Sequence, residues 1–302
     1  MASQAHRSMQ RGGFDRIGID WRPREQPRVP AATWVQVCRF QAANQYQTLD
    51  MVIAAVERAM DRYKHRGSDT SIERPVVVFD LDDTVFKSNQ VRTMRILREW
   101  LDDRPSLHWE IRRSLETVRA EELAYTNKDT FSKVAGLDLG APRVKKALAD
   151  FDKYWNERFF SNEYCQDDPL QYGALEYVKK LHDLGASIAY LTGRDEARMG
   201  KGTRAAINKS GLPRLSSRVK VFLKPHKDDD DAAFKKSVRS TLLAWGPVVA
   251  TFDNAPANCV VLKDSFPKAI NVFVDTVYPA EPVEIRHGLF KIFDFSRRRG
   301  ST

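Results

Sequence analysis

The sequence contains no run of eighteen apolar residues, so it offers no segment suited to crossing a bilayer as a helix. Its first thirty residues are polar and Arg-rich and lack the apolar core of a secretory signal. Cysteine is scarce: Cys38, Cys165 and Cys259 are odd in number and far apart, which argues against both a disulfide framework and a metal cluster with ligand spacing. The histidines are scattered, and none has a partner at ligand spacing. Internal repeats and long low-complexity stretches are also missing. These absences predict a cytoplasmic protein with reduced thiols and no membrane partner.

What is present fits an ordinary globular chain of 302 residues, 42% apolar and 29% charged. The net charge of +9 would attract phosphates, nucleic acid or acidic lipid. Much of the excess lies at the two ends, in Arg7, Arg11, Arg16, Arg22, Arg24 and Arg28 and in Arg297, Arg298 and Arg299. Flexible basic tails are usually just solvated, so nucleic acid is a partner the charge allows without favouring.

Residues 1–30 have no apolar period and are expected to be a disordered basic tail, with a second basic tail at 296–302. Leu49, Val52, Ile53, Val56 and Met60 recur at helical spacing over 48–64. Val76 to Phe79 is a short β-branched run of the kind found in strands buried on both faces. Similar runs at 187–191, 219–223, 248–252 and 269–274 alternate with helical patterns at 174–184, 197–210 and 232–245. This alternation predicts an α/β fold: a doubly wound, Rossmann-like parallel sheet with right-handed crossovers. Between 87 and 168 the strand signals stop, and helices are expected at 91–101, 108–124 and 142–160. The domain expectation is therefore a core of 31–86 and 169–295, interrupted by a helical cap at 87–168. Phe151, Tyr154, Trp155 and Phe159 read as core between cap and main domain.

Ligands of open parallel sheets bind beyond the carboxyl ends of the strands, so the polar residues just after each run are the candidates. They are Asp80, Asp82, Asp83 and Thr84 after the first run, Thr192, Gly193 and Arg194 after the second, and Asp253 and Asn254 after the fourth. Two carboxylates one residue apart can be given different roles by their surroundings. Asp80 is the expected nucleophile and Asp82 the acid and base, with Asp83 structural. Acids around a phosphate need cations. Asp80, the Asp82 carbonyl and Asp253 are expected to bind Mg²⁺, with Asn254 as a further ligand. Thr84, Thr192, Gly193 and Arg194 would contact the substrate. The lysine that balances charge is Lys235 first, with Lys224 as its rival. The acidic run 228–231 is explained better by the dipole of a following helix than by a second metal.

The stretches VVVFDLDDTVF (76–86), IAYLTGR (188–194) and VVATFDNAP (248–256) resemble the first, second and fourth motifs of the haloacid dehalogenase superfamily. The forms DLDDTVF and LTGR are similar to those of class B and class C acid phosphatases. The resemblance implies a phosphatase, because the superfamily's phosphatases carry the second aspartate that its dehalogenases lack. It also implies an aspartyl-phosphate intermediate, Mg²⁺, and a cap that favours small phosphorylated substrates. In the family the fourth motif commonly carries two acidic residues, where this chain has Asp253 and Asn254. Two other readings are weighed: an end-processing phosphatase of nucleic acid, and a non-enzymatic scaffold that uses its basic surface.

Overall fold

Val76, Val77, Val78 and Phe79 form the central strand of a computed structural model that describes residues 40–71, 73–279 and 288–297. All four side chains are buried, and they alternate between two cores. Val77 and Phe79 pack with Leu49, Val52, Tyr177 and Ile207, while Val76 and Val78 pack with Leu242 and Leu262. A strand covered on both faces has no solvent side, so its sequence is continuously apolar instead of alternating. Phe79 also stacks on Phe252 of a neighbouring strand, with ring centroids 4.8 Å apart.

In chain order the elements are α1 (Gln45–Lys64), β1 (Val76–Phe79), α2 (Asn89–Asp102), α3 (Trp109–Glu116), α4 (Pro142–Phe159), α5 (Asn162–Cys165), α6 (Ala174–Asp183), β2 (Ser187–Asp195), α7 (Glu196–Lys209), β3 (Val219–Lys224), α8 (Asp231–Ser237), α9 (Arg239–Trp245), β4 (Val248–Asp253), α10 (Pro256–Ser265), β5 (Ile270–Val274) and β6 (Leu289–Ile292). The six strands form one parallel sheet in the order β3-β2-β1-β4-β5-β6. The fold is the expected doubly wound α/β sheet. The order reverses at β1, which makes its carboxyl end the natural crevice.

Several boundaries differ from the sequence reading. A sixth strand, β6, was not foreseen. The single helix expected over 232–245 is two, because Val238, with φ −79° and ψ 0°, leaves helical geometry between α8 and α9. The helix expected over 108–124 ends at Glu116, followed by a 3₁₀ turn at Ala120–Glu122. The expected tail 1–30 and residues 298–302 lie outside the described residues. Ser296 and Arg297 are held, the latter by Asp50 at 2.8 Å.

The described chain divides into two compact units, Gln90–Phe159 and the remainder. In the first, the Trp100 ring lies 5.2 Å from Phe151 and 6.4 Å from Phe131, and its Nε1 donates to Asp150 at 2.8 Å. Trp155 donates to Thr93 and stacks on Phe159. This aromatic series is thus built into the insertion's own core.

Candidate functional site

Sheet register assembles the site within the second unit. Phe79 pairs with Tyr190 on one side and Phe252 on the other. Continuing that register sets Asp80 beside Asp253 on β4 and beside Leu191 on β2, one residue short of Thr192. Strand spacing of about 4.8 Å and a rise of about 3.3 Å per residue then separate the Asp80 and Thr192 backbones by about 6 Å. The Asp80 amide donates to the Phe252 carbonyl at 2.9 Å, which fixes the turn out of the strand.

Lys235 joins this edge from α8, whose N-terminus is capped by the Asp230 carboxylate accepting from the Ala233 amide. Its ammonium donates to Asp80 Oδ1 at 2.7 Å and to Asp253 Oδ2 at 2.5 Å. All three side chains are buried. Asp253 Oδ1 accepts in turn from the Ala255 amide at 2.9 Å and the Asn258 side chain at 3.4 Å. Burial, opposed by Lys235 and aided by Asp253, leaves the Asp80 carboxyl raised to about 8. Burial also works against the charge of Lys235, but Asp253 and Asp80 outweigh it and hold the ammonium above its usual range. One cation between two carboxylates leaves a buried negative charge, and Asp80 is the group on which it is felt.

No family model matches the sequence, and no curated protein matches it. Solved structures do. The chain resembles haloacid dehalogenase-like hydrolases. It is similar to a class C acid phosphatase from Bacillus anthracis, at 13% identity over 84% of this chain and 83% of that one, with a TM-score of 0.38. It is similar as well to a haloacid dehalogenase-like hydrolase from Streptococcus pneumoniae, at 12% identity over 68% and 85%, TM-score 0.37. A third is a family IA hydrolase from Entamoeba histolytica, at 14% identity over 73% and 93%, TM-score 0.39.

The other expected residues fall in varied places. Lys224, the rival lysine, is turned onto the loop after β3, donating to the carbonyls of Lys227 and Asp229 and to Asp231 at 2.7 Å. The lysine at the Asp80–Asp253 pair is Lys235, because α8 aims it at the strand ends while the loop after β3 consumes Lys224. Asn254, expected as a metal ligand, bridges instead: its Oδ1 accepts from Thr84 Oγ1 at 3.3 Å and its Nδ2 donates to the Val277 carbonyl. Thr84 is correspondingly buried, holding Asn254. Thr192 Oγ1 accepts from the Arg194 amide at 3.2 Å, which leaves the hydroxyl proton to be given. A Cβ on Gly193 would meet the Asp231 carboxylate, which would have to swing aside and loosen its pair with Lys224.

Arg194 was expected at the substrate, yet it is buried and occupied. Its Nε and Nη2 donate to the two oxygens of Asp82, each at 2.8 Å, and Nη2 donates also to Asp168 at 2.7 Å. Burial lowers the guanidinium's affinity for its proton, but Asp82 and Asp168 more than restore it and hold it above the ordinary value. Arg198 pairs with Asp195 at 2.7 Å. Asp168 escaped the sequence reading because it lies in an irregular stretch before Pro169, far in sequence from any strand end. Asp83 has φ 54°, a left-handed conformation rare outside glycine, and its carboxylate accepts from the Ser88 and Asn89 amides at 3.0 Å. No described helix is long and apolar enough to cross a membrane.

Proposed function

We propose that this chain is a Mg²⁺-dependent phosphatase that cleaves a small phosphomonoester through a phosphorylated Asp80. The observation that carries the reading is the buried contact of Asp80 with Lys235, which also holds Asp253, at the carboxyl ends of β1 and β4. In the first step an Asp80 oxygen attacks phosphorus, the bond to the ester oxygen breaks, and Asp82 gives a proton to the departing alcohol. In the second, water attacks the phosphorus of the acyl phosphate and yields its proton to Asp82, and phosphate leaves as Asp80 is regenerated. Lys235 neutralises the phosphoryl oxygens, and the Thr192 hydroxyl and the Gly193 amide bind them. Both Asp82 oxygens accept from Arg194, and each keeps a second lone pair that can carry or take the proton while the fork holds the carboxylate.

The donor set suits Mg²⁺. Two carboxylates with a single lysine leave excess negative charge, and hard oxygen donors match the ion. Among the described residues no three His, Cys, Asp or Glu side chains gather as a metal cluster, so the remaining positions fall to a backbone carbonyl and water. Asp80, the Asp82 carbonyl and Asp253 would hold the ion. When bound, it would supply positive charge that keeps Asp80 ionised and offsets the negative charge of the phosphoryl group.

The test is phosphate release from p-nitrophenyl phosphate with Mg²⁺, native protein beside Asp80→Asn. Turnover by the native protein with background in the variant is expected. Equal background rates would leave the chain a binding scaffold.

A further inference from the structure

The acid and base assigned above does not stand alone. Asp82 has a side chain about a third exposed, whereas Arg194 and Asp168 are almost wholly enclosed. An ion pair with one exposed partner is ordinarily weak and mobile. This one is braced from behind. Arg194 Nη2 is shared between Asp82 and Asp168, its Nη1 donates to Thr203 Oγ1 at 3.3 Å, and its backbone amide is tied to Thr192. Asp168 is itself fixed: its Oδ2 accepts from Ser88 Oγ at 3.2 Å, and the Lys87 amide donates to the neighbouring Pro169 carbonyl at 2.7 Å.

We infer that Asp168, acting through Arg194, positions the carboxylate of Asp82. The inference rests on the phosphatase reading for what Asp82 does. Asp82 alone would engage the fork of the guanidinium, but it would not decide where the fork sits. A second, enclosed carboxylate on the far edge stops the guanidinium from following Asp82 toward solvent, and the planar fork then sets the plane of the Asp82 carboxylate. Asp168 touches no reacting atom in this scheme; it is a positioning residue. Its loss spreads Asp82 over more poses and thins the fraction within reach of the leaving oxygen.

That cost falls on substrates in proportion to their need for a proton. An alkyl phosphate departs as a strongly basic alkoxide and depends on Asp82. p-Nitrophenolate leaves without protonation. The experiment is steady-state kinetics of the native protein and Asp168→Asn on ethyl phosphate and p-nitrophenyl phosphate, with melting curves for both proteins. The kcat/KM on ethyl phosphate, which reports the transfer to Asp80, is expected to fall at least about tenfold further than on p-nitrophenyl phosphate, a fraction of what general acid catalysis is worth. Asp168→Glu, which restores the charge on a longer stem, should recover part of that gap. Equal losses on both esters, or none, overturn the inference and leave Asp168 a structural residue. If Asp168→Asn does not fold, Arg194→Lys makes the same comparison, because it keeps the charge and loses the fork. A native protein that releases phosphate from neither ester defeats the phosphatase reading separately. A crystal structure of Asp168→Asn then decides the brace: Asp82 displaced from Arg194 supports it, and Asp82 seated as here overturns it.

Discussion

Lys235 and Arg194 are both buried cations held between two aspartates, and in each case one aspartate comes from the stretch 80–82. The ammonium is a compact point charge that touches one oxygen of each partner and fixes no plane. It leaves Asp80 Oδ2 with no hydrogen bond among the described residues, which is what a nucleophile beside a cation site needs. The guanidinium engages both oxygens of Asp82 and fixes its orientation. Under the proposed phosphatase reading similar charges serve different ends: the lysine neutralises while leaving an oxygen to react, and the arginine holds a side chain in the plane in which it works.

The sharpest way to break this contrast is at the reacting oxygen. Asp80→Asn should lower kcat by at least about a thousandfold, as for other lost nucleophiles, in a phosphate-release assay. Chelation comes next. EDTA should abolish turnover and added Mg²⁺ restore it, and the ion should stabilise the native fold by about 3 kcal/mol at a hundredfold excess over Kd. In Asp253→Asn that Mg²⁺-dependent rise in Tm should shrink or vanish; a full rise would remove Asp253 from the ligand set. Lys235→Met should cost about 3 to 5 kcal/mol in urea unfolding, because it strands two buried carboxylates without a cation. Mg²⁺ should recover part of that loss, which no ion is expected to do for Arg194→Met. The smallest effect is assigned to Lys224→Met: kcat on p-nitrophenyl phosphate within about threefold of native, with about 1 to 2 kcal/mol lost from the loop it ties together. A hundredfold loss of activity there would return Lys224 to the substrate.

The strands were legible because burial on both faces writes itself as unbroken apolar runs, and Asp80 and Asp253 followed from standing at their ends. Lys235 could be placed by the acidic cap before its helix, although Lys224 stood equally near a strand end. What separates them is the direction of the side chain, and no periodicity carries that. The contacts of Arg194 and Asn254 were hidden for the same reason: position at an edge does not reveal what a neighbour has already claimed. Asp168 had no local pattern at all, since the partners that hold it include Ser88 and Arg194, far away in sequence. β6 is short, and its sequence, Leu-Phe-Lys-Ile, breaks the apolar run with a lysine.

The outgoing chain after β1 and the returning chain before α6 are laced to each other within the second unit. Phe86 bridges Leu170 in antiparallel fashion, the Lys87 amide donates to Pro169, and the Gln171 amide donates to Val85. Everything from Gln90 to Phe159 is therefore threaded through a single closed gateway. A gateway that closes on itself is expected to let the inserted segment be shortened or replaced by a short turn between the two laced segments, with the strand ends keeping their registry.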